Sequence, residues 1–485
     1  MKLDLLKETA NGKRFKYTVI LLAAFFALVC LILCPDGIAE NEEYPLKNSF
    51  LQQEQYKLQF AAFLDGHIAL DAVPSDLLAQ AENPYDPDSR EKSDLHPYYR
   101  ELENSYLWDV AYYDGQYFSY FGIAPILTVY YPYYILTGSI PSHVTACLIL
   151  AVMACFFLML AYREMLLAFC PSANYVLCII GAFGLLFCSG ILTGIVCADN
   201  YYLAVISALC FSMATLFSGL YAVRKTKKHA KCVFFVLCAV FLTLTVWSRP
   251  SSALMCIILV PTFVSELKTV IESKKYSDLL PLALFVVTVS AGATLVMIYN
   301  YVRFDSPLEF GAKYQLTVND ISQNTLSIRL LTESIYAYFL QMPSVNKSLK
   351  IFIEPTVRLF TSTDRFIYCT ENIGSLWFGL PIGVVTGFTK NGIAQNKAAF
   401  FTRVSVIGVS LAVGFVNFCV GGVSMRYMLD ILPMLTLVGA VSTVQAVGLA
   451  NGKRRMILLT AFIVMCIGAI ACGVGCSVFF SKALQ

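Results

Sequence analysis

The stretch YTVILLAAFFALVCLILC, residues 17–34, is an uninterrupted apolar run without a single charge. A helix needs roughly 20 apolar residues to cross the hydrocarbon core of a bilayer. Lys13, Arg14 and Lys16 precede the run, and Pro35 follows it directly with no small-residue cleavage site. We therefore interpret the run as an uncleaved first span whose N-terminus lies in the cytoplasm, rather than as a signal peptide.

The composition extends this interpretation to the whole chain. Of 485 residues, 58% are hydrophobic and 14% are charged, whereas a soluble domain has about 25% charged residues. The sequence predicts an all-α polytopic membrane protein. The net charge of +3 gives no reason to expect a nucleic-acid partner. The 17 cysteines lie mostly inside apolar runs and the four histidines are scattered, which argues against a metal site built from Cys and His.

Further apolar runs predict the remaining spans. They lie at positions 143–162, 173–195, 200–222, 232–247, 252–266, 279–301, 375–389, 400–422, 428–447 and 456–479. Basic clusters favour the cytoplasm, and this chain has four, at Arg224–Lys231, Lys268–Lys275, Lys390–Lys397 and Lys453–Arg455. With these clusters inside, the chain is expected to have eleven spans and an extracytoplasmic C-terminus at the cell membrane.

The run 118–138 does not fit that count as a crossing. It carries Pro125, Pro132 and five tyrosines, and tyrosine prefers the membrane interface. We predict that it lies in or dips into the outer face of the membrane without crossing. The alternative is an ordinary second span with a weakly violated charge rule.

The predicted organisation has five parts. They are 1–34, a cytoplasmic N-terminus and first span; 35–142, a first extracytoplasmic loop with interfacial helices; 143–301, a membrane module; 302–374, a second extracytoplasmic loop; and 375–485, the C-terminal membrane helices. Two large polar loops on one face indicate where binding or chemistry takes place.

Three arginines are predicted at the outer ends of spans, against the usual orientation bias. They are Arg249, Arg303 and Arg426. A charge at the bilayer centre costs about 2.5–3.5 kcal/mol on insertion scales and less near the interface. A lipid phosphate would give these guanidinium groups a partner, because guanidinium binds phosphate oxygens in pairs. Snorkelling of Arg249 and Arg426 to headgroups is the simpler alternative.

Carboxylates are predicted on the same face. Asp109 and Asp114 belong to the first loop, and Asp199 lies between two spans. A carboxylate could take the proton of an attacking hydroxyl. The alternatives are that Asp199 caps a helix, that Asp114-Gly115 is a turn, and that another acid, Asp430, pairs with an arginine one helical turn away, Arg426.

Aromatic residues follow the first-loop acids closely. Tyr117 and Tyr120 offer flat apolar faces that suit a sugar ring or an isoprenoid chain. Together with the acids they predict a groove at the membrane surface.

The segments FLDGHIALD (63–71), NPYDPDSR (83–90), YDGQYFSYFGIAP (113–125), NYVRFDSPLEFG (300–311) and RYMLDILP (426–433) carry a resemblance over nearly the whole chain. In their order and in the placement of both long loops, they resemble the GT-C superfamily of membrane glycosyltransferases. Within it, the chain looks like a bacterial subgroup of the branch with protein O-mannosyltransferases and aminoarabinose transferases. The resemblance implies a GT-C-like fold and transfer of a sugar, a hexose or pentose, from a polyprenyl phosphate to an acceptor in the cell envelope.

The resemblance also implies residue roles. Members keep a catalytic carboxylate in the first outer loop, which here matches the neighbourhoods of Glu54, Asp109 and Asp114, and an acid between two middle spans, which matches Asp199. A basic residue at the following hairpin matches Arg249, and a late Arg-Tyr pair matches Arg426-Tyr427; both arginines are expected to contact the carrier phosphate. The chain departs from the pattern at Gln52-Gln53, where an acid pair is expected.

Other functions fit the same pattern. A transporter or flippase of lipid-linked saccharides is one, although no internal repeat is visible. An envelope polysaccharide polymerase or ligase is another, and a non-catalytic membrane protein is a third. No certain cofactor is implied, although acids beside a phosphate can also hold a divalent cation. The expected partners are the polyprenyl-phosphate-linked sugar, a protein, lipid or glycan acceptor, and membrane lipids.

Overall fold

The computed structural model describes residues 8–34, 55–97, 104–345, 353–360, 365–389 and 396–483. The chain forms a helical bundle capped at one end by two packed loops. The membrane helices are α1 (Lys13–Leu33), α2 (His143–Phe169), α3 (Tyr175–Cys188), α4 (Ile191–Cys197), α5 (Asn200–Arg224), α6 (Lys228–Val246), α7 (Pro250–Leu254), α8 (Val260–Ser273), α9 (Leu280–Phe304), α10 (Lys397–Val420), α11 (Leu432–Leu449) and α12 (Gly452–Ala483).

Shorter elements build the loops and connections. Short α-helices lie at Gln55–Leu64, Asp76–Gln80, Pro87–Lys92, Tyr131–Thr137, Leu331–Ile335, Gly383–Thr386 and Met425–Met428. Turns of 3₁₀-helix lie at Met255–Leu259, Tyr276–Leu279, Ala312–Tyr314, Ile321–Gln323, Ile328–Leu330, Ser375–Phe378 and Leu380–Ile382, and π-helical turns at Ile126–Tyr130 and Tyr336–Leu340. The strands are β1 (His96–Pro97), β2 (Ser105–Tyr106), β3 (Ala111–Tyr113), β4 (Gln116–Phe118), β5 (Ser344–Val345) and β6 (Ile353–Glu354), paired β1–β2, β3–β4 and β5–β6.

Ten helical segments in the described ranges are long and apolar enough to cross a membrane. The chain is therefore an all-α multi-pass membrane protein, as the composition predicts. Helix α5 is central, because 94% of its most apolar window is buried inside the protein. It packs against α2 on one side and α6 on the other.

The prediction of eleven regular spans is corrected at 375–389. This segment breaks into three short helical turns, at Ser375–Phe378, Leu380–Ile382 and Gly383–Thr386. It lies close against α11, because a Cβ added at Gly383 or Gly439 would overlap backbone atoms of the other segment. An apolar run that contains three glycines and a proline has the composition of a span without the regular backbone of one.

The run 118–138 also forms no long helix. It contains the end of β4, a π-helical turn of 5 residues and an α-helix of 7 residues. The two are continuous over 126–137, which is still shorter than the roughly 20 residues of a spanning helix. The segment is thus not among the helices of the described ranges that are long enough to span, and its position in the outer face of the membrane stays a prediction.

Several helix ends meet at one end of the bundle, here called the basic end. The carboxylate of Glu164 near the end of α2 contacts Arg163 at 2.8 Å and Arg224, at the end of α5, at 2.6 Å. Lys231 in the first turn of α6 pairs with Glu266 of α8. The basic connections at Arg224–Lys231 and Lys268–Lys275 thus lie at one end of the bundle, and the two long loops cover the other. Most of the predicted cluster Lys390–Lys397 lies outside the described residues.

The first loop contains a tight β-hairpin. Strands β3 and β4 are joined by Asp114 and Gly115 alone, with φ angles of 48° and 72°. Two central residues with positive φ define the turn that matches the twist of a hairpin, and Asp-Gly is a preferred pair for it. The alternative interpretation of Asp114-Gly115 as a turn is correct.

The two predicted outer loops form one packed unit. Arg90 of the first loop is 1% exposed, and its guanidinium donates to the carbonyl oxygens of Pro84 at 2.7 Å and of Thr317 at 2.5 Å. Asn83 donates to the Asp320 carboxylate at 2.9 Å. The second loop is therefore held in place by buried polar groups of the first.

We predict that Arg90→Met destabilises the protein. Methionine keeps most of the apolar stem, but the Pro84 and Thr317 carbonyls lose charged donors, which are worth about 1.5–3 kcal/mol each. Thermal unfolding of the purified protein in detergent measures the effect. The matched control is the exposed Arg329→Met, which should change stability by less than about 0.5 kcal/mol; equal effects would contradict the role given to Arg90.

Candidate functional site

A cavity of about 520 Å³ lies where the helix ends meet the two loops, opposite the basic end. Its charged lining residues are Asp109, Arg249, Arg303 and Arg426. Its larger aromatic residues include Trp108, Tyr120, Tyr201, Trp247, Tyr299, Tyr368 and Tyr427. Both predicted extracytoplasmic loops contribute to the wall.

Asp109 is held between the two loops. Its backbone N–H donates to the Leu316 carbonyl at 2.9 Å, and its own carbonyl accepts from the Gln55 side chain at 2.8 Å. Its φ of 54° lies in the left-handed region, which aspartate tolerates better than most residues. The carboxylate oxygen Oδ2 accepts hydrogen bonds from the hydroxyls of Tyr120, at 3.1 Å, and Tyr201.

Burial raises the pKa of Asp109 above the usual value of an aspartate. Four influences oppose this shift. They are the hydrogen bond from Tyr201, the positive charge of Arg426, the hydrogen bond from Tyr120 and the side chain of Thr317. Asp109 therefore ionises at higher pH than an exposed aspartate, which suits a group that accepts a proton.

Arg426 lies in the short helix Met425–Met428, between α10 and α11. Its guanidinium carbon is 4.0 Å from the ring centre of Tyr201, 5.2 Å from that of Tyr427 and 6.0 Å from that of Tyr368. Its Nε has no hydrogen-bond partner, and within the described ranges no carboxylate forms an ion pair with it. Aromatic faces attract such a cation without neutralising its charge.

Arg249, by contrast, is neutralised. It precedes α7, and its Nε and Nη2 donate to the two carboxylate oxygens of Asp430 at 2.7 Å and 2.9 Å. The same carboxylate accepts from the hydroxyls of Ser251 and Ser252, at 2.9 Å and 2.7 Å, and from Asn417 at 3.1 Å. The Asp430 carboxylate therefore accepts five hydrogen bonds, two of them from Arg249.

The sequence alternative that paired Asp430 with Arg426 is therefore wrong. The helical turn of Met425–Met428 ends before Asp430, so the spacing along one helix does not apply. Arg249 reaches Asp430 from another part of the chain, and its guanidinium carbon lies 5.7 Å from the Tyr427 ring. Arg249 and Arg426 thus lie near the same ring.

Asp199 caps the central helix. Its Oδ1 accepts from the backbone N–H of Tyr202 at 2.7 Å, so the helix-cap interpretation is correct. Burial raises the pKa of Asp199, whereas that hydrogen bond and the charge of Arg426 lower it. Asp199 is not among the residues that line the cavity, but its cap places the next residue but one, Tyr201, in the wall.

Arg303 lines the cavity at the last turn of α9 and is already hydrogen-bonded to the protein. It donates to the Ser119 carbonyl and to the Asn300 side chain, both at 2.7 Å. Its guanidinium carbon lies 4.0 Å from the Tyr299 ring. These contacts fix the start of the second loop to the end of the hairpin.

The remaining predicted site residues lie elsewhere. Tyr117 is 1% exposed in a second apolar core, where its hydroxyl accepts from the Leu107 N–H at 3.4 Å. Asp114 is exposed at the hairpin turn. Glu54 lies outside the described residues. The cavity brings together Asp109, Tyr120, Arg249, Arg303, Arg426 and Tyr427.

The sequence interpretation missed Tyr201, which contacts both Asp109 and Arg426. The sequence ADNYY (198–202) could have indicated it. A helix cap at Asp199 puts Tyr201 in the first turn of α5, at the end of the bundle where Asp199 lies. Nothing in the sequence distinguishes Tyr201 from Tyr202 as the residue that faces the cavity.

A divalent cation does not suit this cavity. Of the described lining residues, Asp109 alone is a carboxylate, and its charged neighbours are guanidinium groups. Hard cations require several oxygen ligands. Away from the cavity, Asp65, His67 and Asp71 place one ligand atom each within 4.8 Å of one another, and all three are exposed.

The fold and the cavity define the class, a polytopic α-helical membrane protein with an aromatic-rich cavity at one end of its bundle, into which one carboxylate and three arginines project. No protein family model matches the chain, and no curated protein or solved structure matches it.

We predict strong coupling between Arg249 and Asp430. Asp430→Asn leaves a buried guanidinium without its counter-charge, which should cost about 3–5 kcal/mol. In Arg249→Met/Asp430→Asn neither charge is left alone, so the double variant should be more stable than the sum of the single effects by at least about 1 kcal/mol. Unfolding in detergent gives the four stabilities of the cycle.

The control cycle uses Lys313→Met and Glu309→Gln, because the Lys313 side chain is 47% exposed and lies 3.4 Å from Glu309. Its coupling should stay below about 0.5 kcal/mol. Additive effects of the Arg249 and Asp430 variants would show that the pair is not a unit.

Proposed function

We propose that this chain is an integral membrane glycosyltransferase that moves a sugar from a polyprenyl-phosphate carrier to an extracytoplasmic acceptor. The observation that supports this most is the contact of Tyr201 with both the Asp109 carboxylate and the Arg426 guanidinium inside one cavity. The cavity lies opposite the basic end, as extracytoplasmic chemistry requires under the positive-inside rule.

Arg426 is the proposed ligand of the carrier phosphate. It is the lining arginine without an anionic partner or a protein hydrogen bond in the described part of the chain. A guanidinium in such surroundings favours an anion strongly, since little water competes for it. The positive charge also favours the phosphate as a leaving group, because that group gains charge in the transition state.

Asp109 is the proposed general base. The alternatives fit less well, because Asp114 is exposed at a turn and Asp199 is used as a helix cap. The acceptor O–H gives its proton to the Asp109 carboxylate, and the acceptor oxygen forms a bond to the anomeric carbon. The bond from that carbon to the phosphate oxygen breaks, and its electron pair leaves with the phosphate. A single in-line displacement of this kind inverts the anomeric centre.

The aromatic lining fits the rest of the donor. Tyr120 and Tyr427 line the same cavity as Asp109 and Arg426 and present ring surface to it. Apolar faces of this kind bind the C–H surface of a sugar or an isoprenoid chain. Arg249, neutralised by Asp430, supports the wall next to Tyr427 and contributes hydrogen bonds rather than net charge.

We predict that Asp109→Asn lowers turnover at least about 100-fold, the usual loss when a general base is removed. Arg426→Met should lower kcat/KM for the donor by a similar factor. The assay follows radiolabelled sugar from synthetic polyprenyl-phosphate monosaccharides into membrane-extract products. The exposed Asp114→Asn is the matched control and should keep wild-type turnover.

Two outcomes would contradict the proposal. One is movement of labelled lipid across reconstituted vesicles with no new glycosidic bond, which would indicate a flippase. The other is wild-type turnover in Asp109→Asn, which would remove the base from the proposed mechanism.

We predict that Tyr201→Phe moves the acid limb of the pH profile of kcat/KM to higher pH. Asp109 acts as a base only when ionised, so activity rises as the pH passes its pKa. The Tyr201 hydroxyl lowers the pKa of Asp109 by donating to the carboxylate, and its removal raises that pKa further. Tyr117→Phe, whose hydroxyl lies in the second core, should leave the limb in place; an unmoved or lowered limb in Tyr201→Phe would contradict this assignment.

A further inference from the structure

One wall of the cavity differs in character from the rest. It is formed by lining residues between 310 and 324, and none of these residues carries a charge. Gln315 is 7% exposed and lines the cavity, yet its side-chain amide makes no hydrogen bond within the described residues. Asn319 lines the same wall, is half-buried and likewise has no side-chain partner there. Neither amide is among the buried polar atoms of the described residues that lack a partner, so both open onto the cavity and are available to hydrogen-bond a polar ligand there.

This wall lies directly beside the proposed base. The Asp109 N–H donates to Leu316 O at 2.9 Å, and the Leu316 N–H donates to Val110 O at 3.0 Å. The Thr317 side chain lies close enough to the Asp109 carboxylate to lower its pKa. An acceptor whose hydroxyl gives its proton to Asp109 would therefore lie within reach of this wall.

We propose that the wall of Gln315 and Asn319 is the acceptor subsite and that the acceptor is a neutral glycan. The inference rests on the proposed transferase function. Each side-chain amide has donors and an acceptor, which match the hydroxyl groups of an uncharged sugar. Trp108 lines the cavity next to Asp109 and offers an aromatic face to the C–H surface of a pyranose ring.

Other acceptors fit this wall less well. A phosphorylated lipid or a polymer of phosphodiesters would bring a second anion, and the wall has no cation to receive it. Of the other lining arginines, Arg249 is neutralised and Arg303 is bonded to Ser119 and Asn300. A peptide would seek free backbone groups, but those of Leu316 are already paired with Asp109 and Val110.

The test uses the full-length protein in lipid nanodiscs with radiolabelled polyprenyl-phosphate monosaccharides. A membrane extract is separated into protein, neutral glycan and anionic glycan or lipid pools, the latter by anion exchange. We expect label in the neutral glycan pool. Label in the anionic pool or the protein pool alone would overturn the acceptor assignment and leave the transferase function intact, whereas no label in any pool would overturn the transferase function itself.

Variants test the wall directly. Gln315→Leu should raise the KM for the neutral pool about three- to tenfold, the usual effect of one neutral hydrogen bond, and leave the KM for the donor unchanged. Asn319→Leu should also raise the KM for the neutral pool. It tests the wall independently if Gln315→Leu fails to fold. The matched control is the exposed Gln323→Leu on the same segment, which should behave as wild type. An unchanged acceptor KM in both wall variants, or an equal rise of the donor KM, would refute the subsite.

Discussion

The physical feature on which the cavity's character depends is an arginine charge that no carboxylate of the described residues neutralises. Arg426 is surrounded by the rings of Tyr201, Tyr368 and Tyr427, and in the described ranges it has no carboxylate partner. Aromatic rings stabilise a cation by about 0.5–2 kcal/mol without removing its charge. A carboxylate paired with Arg426 would have cancelled its positive charge, so no positive potential would remain in the cavity to attract an anionic ligand.

Arg249, another arginine of the cavity, differs from Arg426 because a carboxylate neutralises its charge. Arg249 and Asp430 form a bidentate pair, and two serines and an asparagine complete the hydrogen bonds of the carboxylate. Such a pair gives rigidity at the cost of desolvating both groups. The pair fixes the wall of the cavity beside the Tyr427 ring, and Arg426 contacts the same ring.

Much of the helical fold could be predicted, because burying an apolar run in a bilayer requires a helix whatever its neighbours are. The runs that contain α1, α2 and α5 are cases of this. The segment 375–389 could not be predicted in the same way, since its glycines allow close packing against α11 and hydropathy does not report backbone regularity. Asp114 and Asp199 were readable as a turn and a cap, because those roles depend on local sequence.

The side-chain contacts of the cavity were harder to predict from the sequence, because they join distant parts of the chain. Asp430 is four residues from Arg426 but pairs with Arg249, 181 positions away, and no local spacing rule predicts this. Tyr117 and Tyr120 are the same residue type in the same segment, so the sequence does not distinguish them. Tyr117 lies in β4 and points into the second apolar core, whereas Tyr120 follows the strand and its hydroxyl reaches Asp109.

The different partners of the three lining arginines have a consequence for the proposed transfer reaction. Only an interaction that strengthens as the reaction proceeds accelerates it. Arg249 and Arg303 already donate to protein acceptors, so a growing negative charge on a ligand must compete with those bonds. Arg426 has no such competitor in the described residues, and its attraction for a ligand grows directly with the charge of that ligand. If a phosphate leaves in this cavity, Arg426 is the arginine whose contribution would rise most between the bound substrate and the transition state, and Arg249 and Arg303 would chiefly hold the walls on either side of it.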